Sequence, residues 1–343
     1  MTCNLLDLQH SIARYPSLLE ALGPRWVRDQ VDIDPVDSRY MLARWLRIPE
    51  AEHVLEHINA MLARLSAFPG IAERRSKLKS NPESFLETVT ELRVATWILE
   101  HGYELRLRSG PGPDLEIRID DIELLLEVTT PRRMTWKADV FDRLWILAET
   151  SDVTFELDTI GEPDPDEVEP QAAVAQCVQS ARDLITARQR KAYAAPLVHN
   201  IPEIGVALSI LEAQSERVTL TTSVPASRRY GTYWYAKEAA KKKRRQFPSG
   251  RVNLLLVCPD QMADQDSISF QSYSPKAAAE VPMDWLEVPT ELSAILICAF
   301  AGGRSSPTAG IWLANPNAAI TLPPQVTGFM QTLFPVSFER VEG

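Results

Sequence analysis

Two acids in this chain stand where a carboxylate needs a reason. Glu127 lies in the run "IELLLEVTT" (122–130), directly after Leu124, Leu125 and Leu126, and Asp114 opens "DLEIRID" directly behind the Gly/Pro turn "SGPGP". Both runs read as strands, so a separation of 13 residues brings the two acids onto neighbouring strands. Carboxylates so placed can share a hard divalent cation. Mg²⁺ or Mn²⁺ takes oxygen ligands and keeps several waters, so one or two acids suffice. The backbone carbonyl of Val128, next to Glu127, could add a third oxygen. A cation held this way lowers the pKa of a water and stabilises charge developing on a phosphate.

The elements that must hold these residues can be read from periodicity. "YELRLRS" and "DLEIRID" alternate with period two, and "IELLLEVTT" is nearly continuous. Joined by Gly/Pro and Asp-Asp turns, the three predict an antiparallel meander with the third strand central. Ahead of it, "NPESFLETVTELRVATWILEHG" predicts a helix with Asn81 or Ser84 as cap and Gly102 as stop. Glu87 and Glu91 lie one turn apart beside its broad apolar face. Residues 1–80 read as helical, with "PVDSRYMLARWLRI" capped by Asp37 or Ser38 and "PEAEHVLEHINAMLARLSAF" opening at a proline.

Beyond Pro131 the chain predicts a short helix in "TWKADVFDRLWILAET", a strand in "DVTFELDTIG", an acidic Pro-rich loop over 161–170 and a helix over 171–194. "GVALSILEA" and "RVTLTTSV" read as a hairpin, followed by the helix "YGTYWYAKEAAKKKRRQF" and the strand "RVNLLLVC". The tail adds the buried strands "LSAILICAF" and "AGIWLANP", with "AGGRSSPTAG" (301–310) as a loop between them, and the segment "PQVTGFMQTLF". The expected organisation is an N-terminal helical region, 1–80, and an α/β domain, 81–343, with an insertion at about 131–225.

Composition narrows the function classes. No apolar run approaches the ~20 residues of a membrane helix, and the N-terminus lacks a basic stretch followed by an apolar block, so the expected location is the cytosol. The four cysteines show no CxxC spacing, against a zinc site or a disulfide framework. Net charge is −10, yet nine Lys or Arg fall between Pro225 and Arg251 against the single Glu238. That basic tract permits a polyanion site on an acidic body.

The order helix, three-strand meander, helix, strand resembles the core of the PD-(D/E)xK, or restriction-endonuclease-like, nuclease superfamily. Pro113-Asp114 matches the PD element, Glu127-Val128-Thr129 stands at the (D/E)xK position, and Glu91 lies on the helix that often carries an extra acid. The resemblance implies a Mg²⁺- or Mn²⁺-dependent nuclease that hydrolyses phosphodiester bonds in DNA, often as a homodimer. It covers roughly 85–130 and, more weakly, 230–258. Thr129 replaces the superfamily's lysine, which positions the attacking water and stabilises phosphate charge. Some members bring that cation from the following helix. Here Glu238, Lys242 and Gln246 share one face at i, i+4 and i+8, which makes Lys242 the expected substitute and Gln246 its companion in positioning substrate or water.

Two other classes stay open on the sequence. A relative that kept the fold and lost turnover would bind nucleic acid or a protein partner without cutting, and Thr129 favours it. An unrelated α/β enzyme is the third, although GxGxxG, GxxxxGK[ST] and GxSxG are all missing.

Overall fold

The computed structural model describes residues 5–130, 132–159, 169–190, 197–212, 217–222, 232–258, 287–300 and 307–333. It is a mixed α/β structure whose contacts divide it into two units, Met1–Leu55 with Arg132–Ser227 and Glu56–Pro131 with Arg228–Gly343. Among the described residues no helix is long and apolar enough to cross a membrane.

The first unit contains helices α1 (Leu8–Ile12), α2 (Pro16–Val31) and α3 (Met41–Trp45), the start of α4 (Glu52–Arg64), then α7 (Arg132–Ser151) and α8 (Pro170–Gln189). Its sheet has the order β5-β6-β4-β7, built from β4 (Val153–Thr159), β5 (Leu197–Ile201), β6 (Val206–Glu212) and β7 (Val218–Thr222). β6 and β7 do not form the expected hairpin, because β4 lies between them, antiparallel to β6 and parallel to β7. The reason is burial: β6 is buried over its first five residues and both its edges are already taken by β5 and β4. Nor do Asp37 and Ser38 cap a long helix. α3 begins only after Tyr40, and the Ser38 hydroxyl turns to Gln30 instead. The segment after Pro131, expected as a short helix, runs for 20 residues. Most of the acidic loop lies outside the described residues.

The second unit carries α5 (Ile71–Ser80), α6 (Phe85–Glu100), α9 (Thr232–Lys243) and α10 (Pro324–Leu333) around a six-stranded sheet of order β1-β2-β3-β8-β9-β10. The strands β1 (Glu104–Leu107), β2 (Leu115–Ile119) and β3 (Ile122–Thr129) form the expected antiparallel meander. Then β8 (Val252–Val257) lies parallel to β3, β9 (Ala294–Phe300) parallel to β8, and β10 (Pro307–Ala314) antiparallel at the edge. β8 is buried at every position, as befits a parallel strand covered on both faces.

Helices cover this sheet on both sides. α9 seats Ala236 and Ala240 on Leu255, Val257, Ile295 and Ile297. α6 meets residues of the opposite parity, through a hydroxyl contact of Thr90 with Thr130 at 3.2 Å and the Arg93 guanidinium over the Phe300 ring. α10 is tied to α6 by the Trp97 indole N–H donating to the Leu333 carbonyl at 3.0 Å. Residues 301–306 of the Gly/Ser-rich segment lie outside the described residues, and β10 takes up the chain at Pro307.

Candidate active site

Leu115 pairs with Leu126 at the last rung of the β2–β3 ladder, so one further step of the same register sets Asp114 opposite Glu127. Facing residues of an antiparallel pair share a sheet face with Cβ atoms about 4.5–5.5 Å apart. Asp114 Oδ2 accepts a hydrogen bond from the Val128 N–H at 2.9 Å, which ties the strands together beyond the ladder. Asp114 Oδ1 has the Arg74 guanidinium at 3.7 Å.

Glu127 is only 1% exposed. Its Oε1 accepts from the Lys243 ammonium at 2.6 Å, and the same ammonium reaches Glu87 Oε1 at 3.3 Å. With its amide nitrogen turned inward, Gln246 donates to Glu127 at 2.6 Å for Oε1 and 3.1 Å for Oε2. Lys242, the cation expected here, is exposed, and Lys243 occupies the place. The cause is local: α9 ends at Lys243 and the chain tightens into a 3₁₀ turn over Arg244–Gln246. At three residues per turn, positions i and i+3 eclipse, which brings Lys243 rather than Lys242 over Gln246. Glu238 is engaged elsewhere, by Lys241 at 3.1 Å.

Glu91 is brought to the site but not to the same partners. It is 3% exposed, its Oε2 accepts from Arg74 Nε at 2.9 Å, and its Oε1 lies 3.7 Å from the Lys77 ammonium. Arg74 and Lys77 lie within residues 1–80, which the sequence marks only as helical, with nothing that points them to this site. The usable signal was spacing: Ile71, Arg74 and Leu78 fall at i, i+3 and i+7, so Arg74 belongs to the buried stripe. Thr129 is buried beside Glu127 and brings no charge.

The charges are unbalanced. Five carboxylates (Glu73, Glu87, Glu91, Asp114 and Glu127) meet three cations (Arg74, Lys77 and Lys243). Burial and then the neighbouring Asp114 push Glu127 up to about 8 and Glu91 up to about 7. Burial also raises Asp114, against the pull of the Val128 N–H. For Lys243 burial works downward, but Glu127 and Glu87 outweigh it and hold the ammonium above its ordinary value. These directions express one fact. The site keeps protons that an additional cation would displace.

Among the described residues no three His, Cys, Asp or Glu side chains are grouped as a metal cluster. A hard cation does not require one, since two carboxylates, a backbone carbonyl and waters make up its oxygen set. Asp114, Glu127 and the Val128 carbonyl are oxygen donors of that class, and the surplus of carboxylates is of the sign a cation needs. The donor set fits Mg²⁺ or Mn²⁺. Comparison with known proteins adds nothing further: no family model, no curated protein and no solved structure matches this chain.

Proposed function

We propose that this chain is a metal-dependent nuclease with a restriction-endonuclease-like core, hydrolysing phosphodiester bonds in DNA in the cytosol. The observation that carries the reading is the facing pair Asp114 and Glu127, with a lysine from the helix before the adjoining parallel strand seated on Glu127. Asp114, Glu127 and the Val128 carbonyl would hold Mg²⁺ or Mn²⁺, which supplies Lewis-acid stabilisation of charge on the phosphate.

The chain's own residues then have distinct tasks. Lys243, kept protonated by Glu127 and Glu87, donates to a non-bridging phosphate oxygen and steadies the negative charge that grows there as water attacks phosphorus and the bond to the leaving sugar oxygen breaks. Gln246 shares Glu127 with it and orients the attacking water. Glu91 holds Arg74 and so acts at one remove. The exposed Lys242, Arg244 and Arg245 neutralise neighbouring phosphates without reading sequence. A homodimer would let two such sites cut both strands.

The reading is tested by incubating purified protein with supercoiled plasmid and Mg²⁺. Cleavage is expected in the parent and lost in Asp114→Ala and Glu127→Ala. One observation favours a second reading, a nuclease-like protein that binds nucleic acid without cutting: Lys243 and Gln246 together engage both oxygens of Glu127. Salt-dependent DNA binding with no cleavage in either Mg²⁺ or Mn²⁺ would establish that alternative.

A further inference from the structure

We propose that Arg74 is a positioning residue for the Asp114 carboxylate, acting through a clamp that helix α5 closes on the turn between β1 and β2. Four residues make the clamp: Gly70, Glu73, Arg74 and Lys77. Gly70, at the N-cap of α5, approaches Leu107 at the end of β1 so closely that a Cβ there would lie 2.3 Å from the Leu107 carbonyl oxygen. One turn on, Glu73 Oε2 accepts from the Gly110 N–H at 3.0 Å. Arg74 follows, with its guanidinium only 1% exposed. Its Nη1 donates to the Arg108 carbonyl and its Nη2 to the Asp114 carbonyl at 2.9 Å, while Nε is anchored on Glu91. Finally Lys77 closes on Glu73 at 3.4 Å and on Glu91 at 3.7 Å.

The geometry has a chemical logic that a lysine could not satisfy. A guanidinium is a rigid plane whose five N–H groups point in several directions, so one side chain can bind a carboxylate and two backbone carbonyls at once. The carbonyls of Arg108 and Asp114 bracket the Gly/Pro turn, which the Arg108 N–H to Asp114 carbonyl bond closes at 2.9 Å. Holding both of them sets where the Asp114 backbone stands, and hence where its carboxylate faces Glu127. Gly110 and Gly112, both at positive φ, let the chain reverse here, and Arg74 adds a hold on the two ends of the turn from outside it.

The consequence for cleavage rests on the nuclease reading, but the clamp has a readout of its own. The Val128 N–H donates to Asp114 Oδ2, so its hydrogen exchange reports whether that carboxylate is in place. In the full chain, Arg74→Lys keeps the charge and removes the fork. We expect the Val128 amide to exchange about tenfold faster or more, with the other amides of β2 and β3 unchanged and Mn²⁺ affinity reduced. Unchanged Val128 protection overturns the proposal, and so does equal loss of protection throughout β2 and β3, which would mark Arg74 as a structural prop. Should Arg74→Lys fail to fold, Glu91→Gln loosens the Nε anchor with no loss of volume. A smaller but selective loss at Val128 supports the clamp, and wild-type protection in that folded variant overturns it. If the parent protein neither binds Mn²⁺ nor cuts DNA, the nuclease reading falls, and the exchange experiment still decides the clamp.

Discussion

Lys243 and Gln246 stand side by side over Glu127, three residues apart, because the helix that carries them tightens into a 3₁₀ turn between them. This arrangement puts the site's cation on α9 and leaves Thr129 on β3 uncharged. Lys243→Ala should therefore lower plasmid cleavage by about 10²–10³, the usual cost of removing one charge-stabilising donor. Lys242→Ala should cleave nearly as well as the parent, with a slightly shallower dependence of DNA affinity on salt.

Thr129 lies two residues beyond Glu127 and on the same strand face. A lysine introduced there starts from the side of the sheet that Lys243 serves. Thr129→Lys in the Lys243→Ala background should recover part of the lost cleavage, measured on the same plasmid. No recovery would mean that the ammonium must arrive from α9.

Protons and metal should compete at this site. Glu127 is raised to about 8 and Glu91 to about 7 by burial and by Asp114. A cation can bind only as protons leave, so Mn²⁺ affinity should climb between pH 6.5 and 8.5. Calorimetry in two buffers of different ionisation enthalpy should show protons released on binding at the lower pH and few at the higher.

The first unit contains a separate pH-sensitive contact. Burial raises Asp142 to about 7, although Arg44 beside it pulls the other way. Between the unfolded value and about 7, the native protein therefore binds more protons at this group than the unfolded chain does. Its contribution to stability is full at low pH and is lost as pH rises through that window, with a slope approaching about 1.4 kcal/mol per pH unit. Asp142→Asn should remove this component, seen as a flatter plot of urea-unfolding free energy against pH from 4.5 to 7.

Gly70 is irreplaceable on two counts. Its φ is +87°, in the left-handed region, and an added Cβ would run into the Leu107 carbonyl. Gly70→Ala should cost about 2 kcal/mol or more in urea unfolding. Gly102→Ala, at a similar φ of +80° with open space around the missing Cβ, should cost less.

Alternation made the meander legible, and with it the facing of Asp114 and Glu127, because a period of two assigns every side chain to a face. β8 was legible from its apolar run, which Asn253 interrupts only near its start. Lys243 was not, since an ideal 3.6-residue period selects Lys242 and nothing in "KKKRRQ" announces where the helix tightens. Arg74 was hidden for a different reason: a buried guanidinium has the same letter as a solvated one, and only its place between Ile71 and Leu78 betrays it. The pairing of β7 with β4 was out of reach because five residues between two strands suit a hairpin equally well.

Glu127 and Lys243 are 116 positions apart, and the whole stretch from Arg132 to Ser227 belongs to the other unit. During translation at about 5–20 residues per second, the acids therefore leave the ribosome some 6–23 s, by that rate, before the lysine does. Through that interval β3 lacks β8, and Glu127 lacks both of its α9-side partners. A chain released early, after Glu127 but before residue 243, carries Arg74 and Lys77 with their acids but leaves Glu127 without Lys243. Such a fragment would be silent, whatever the finished protein does.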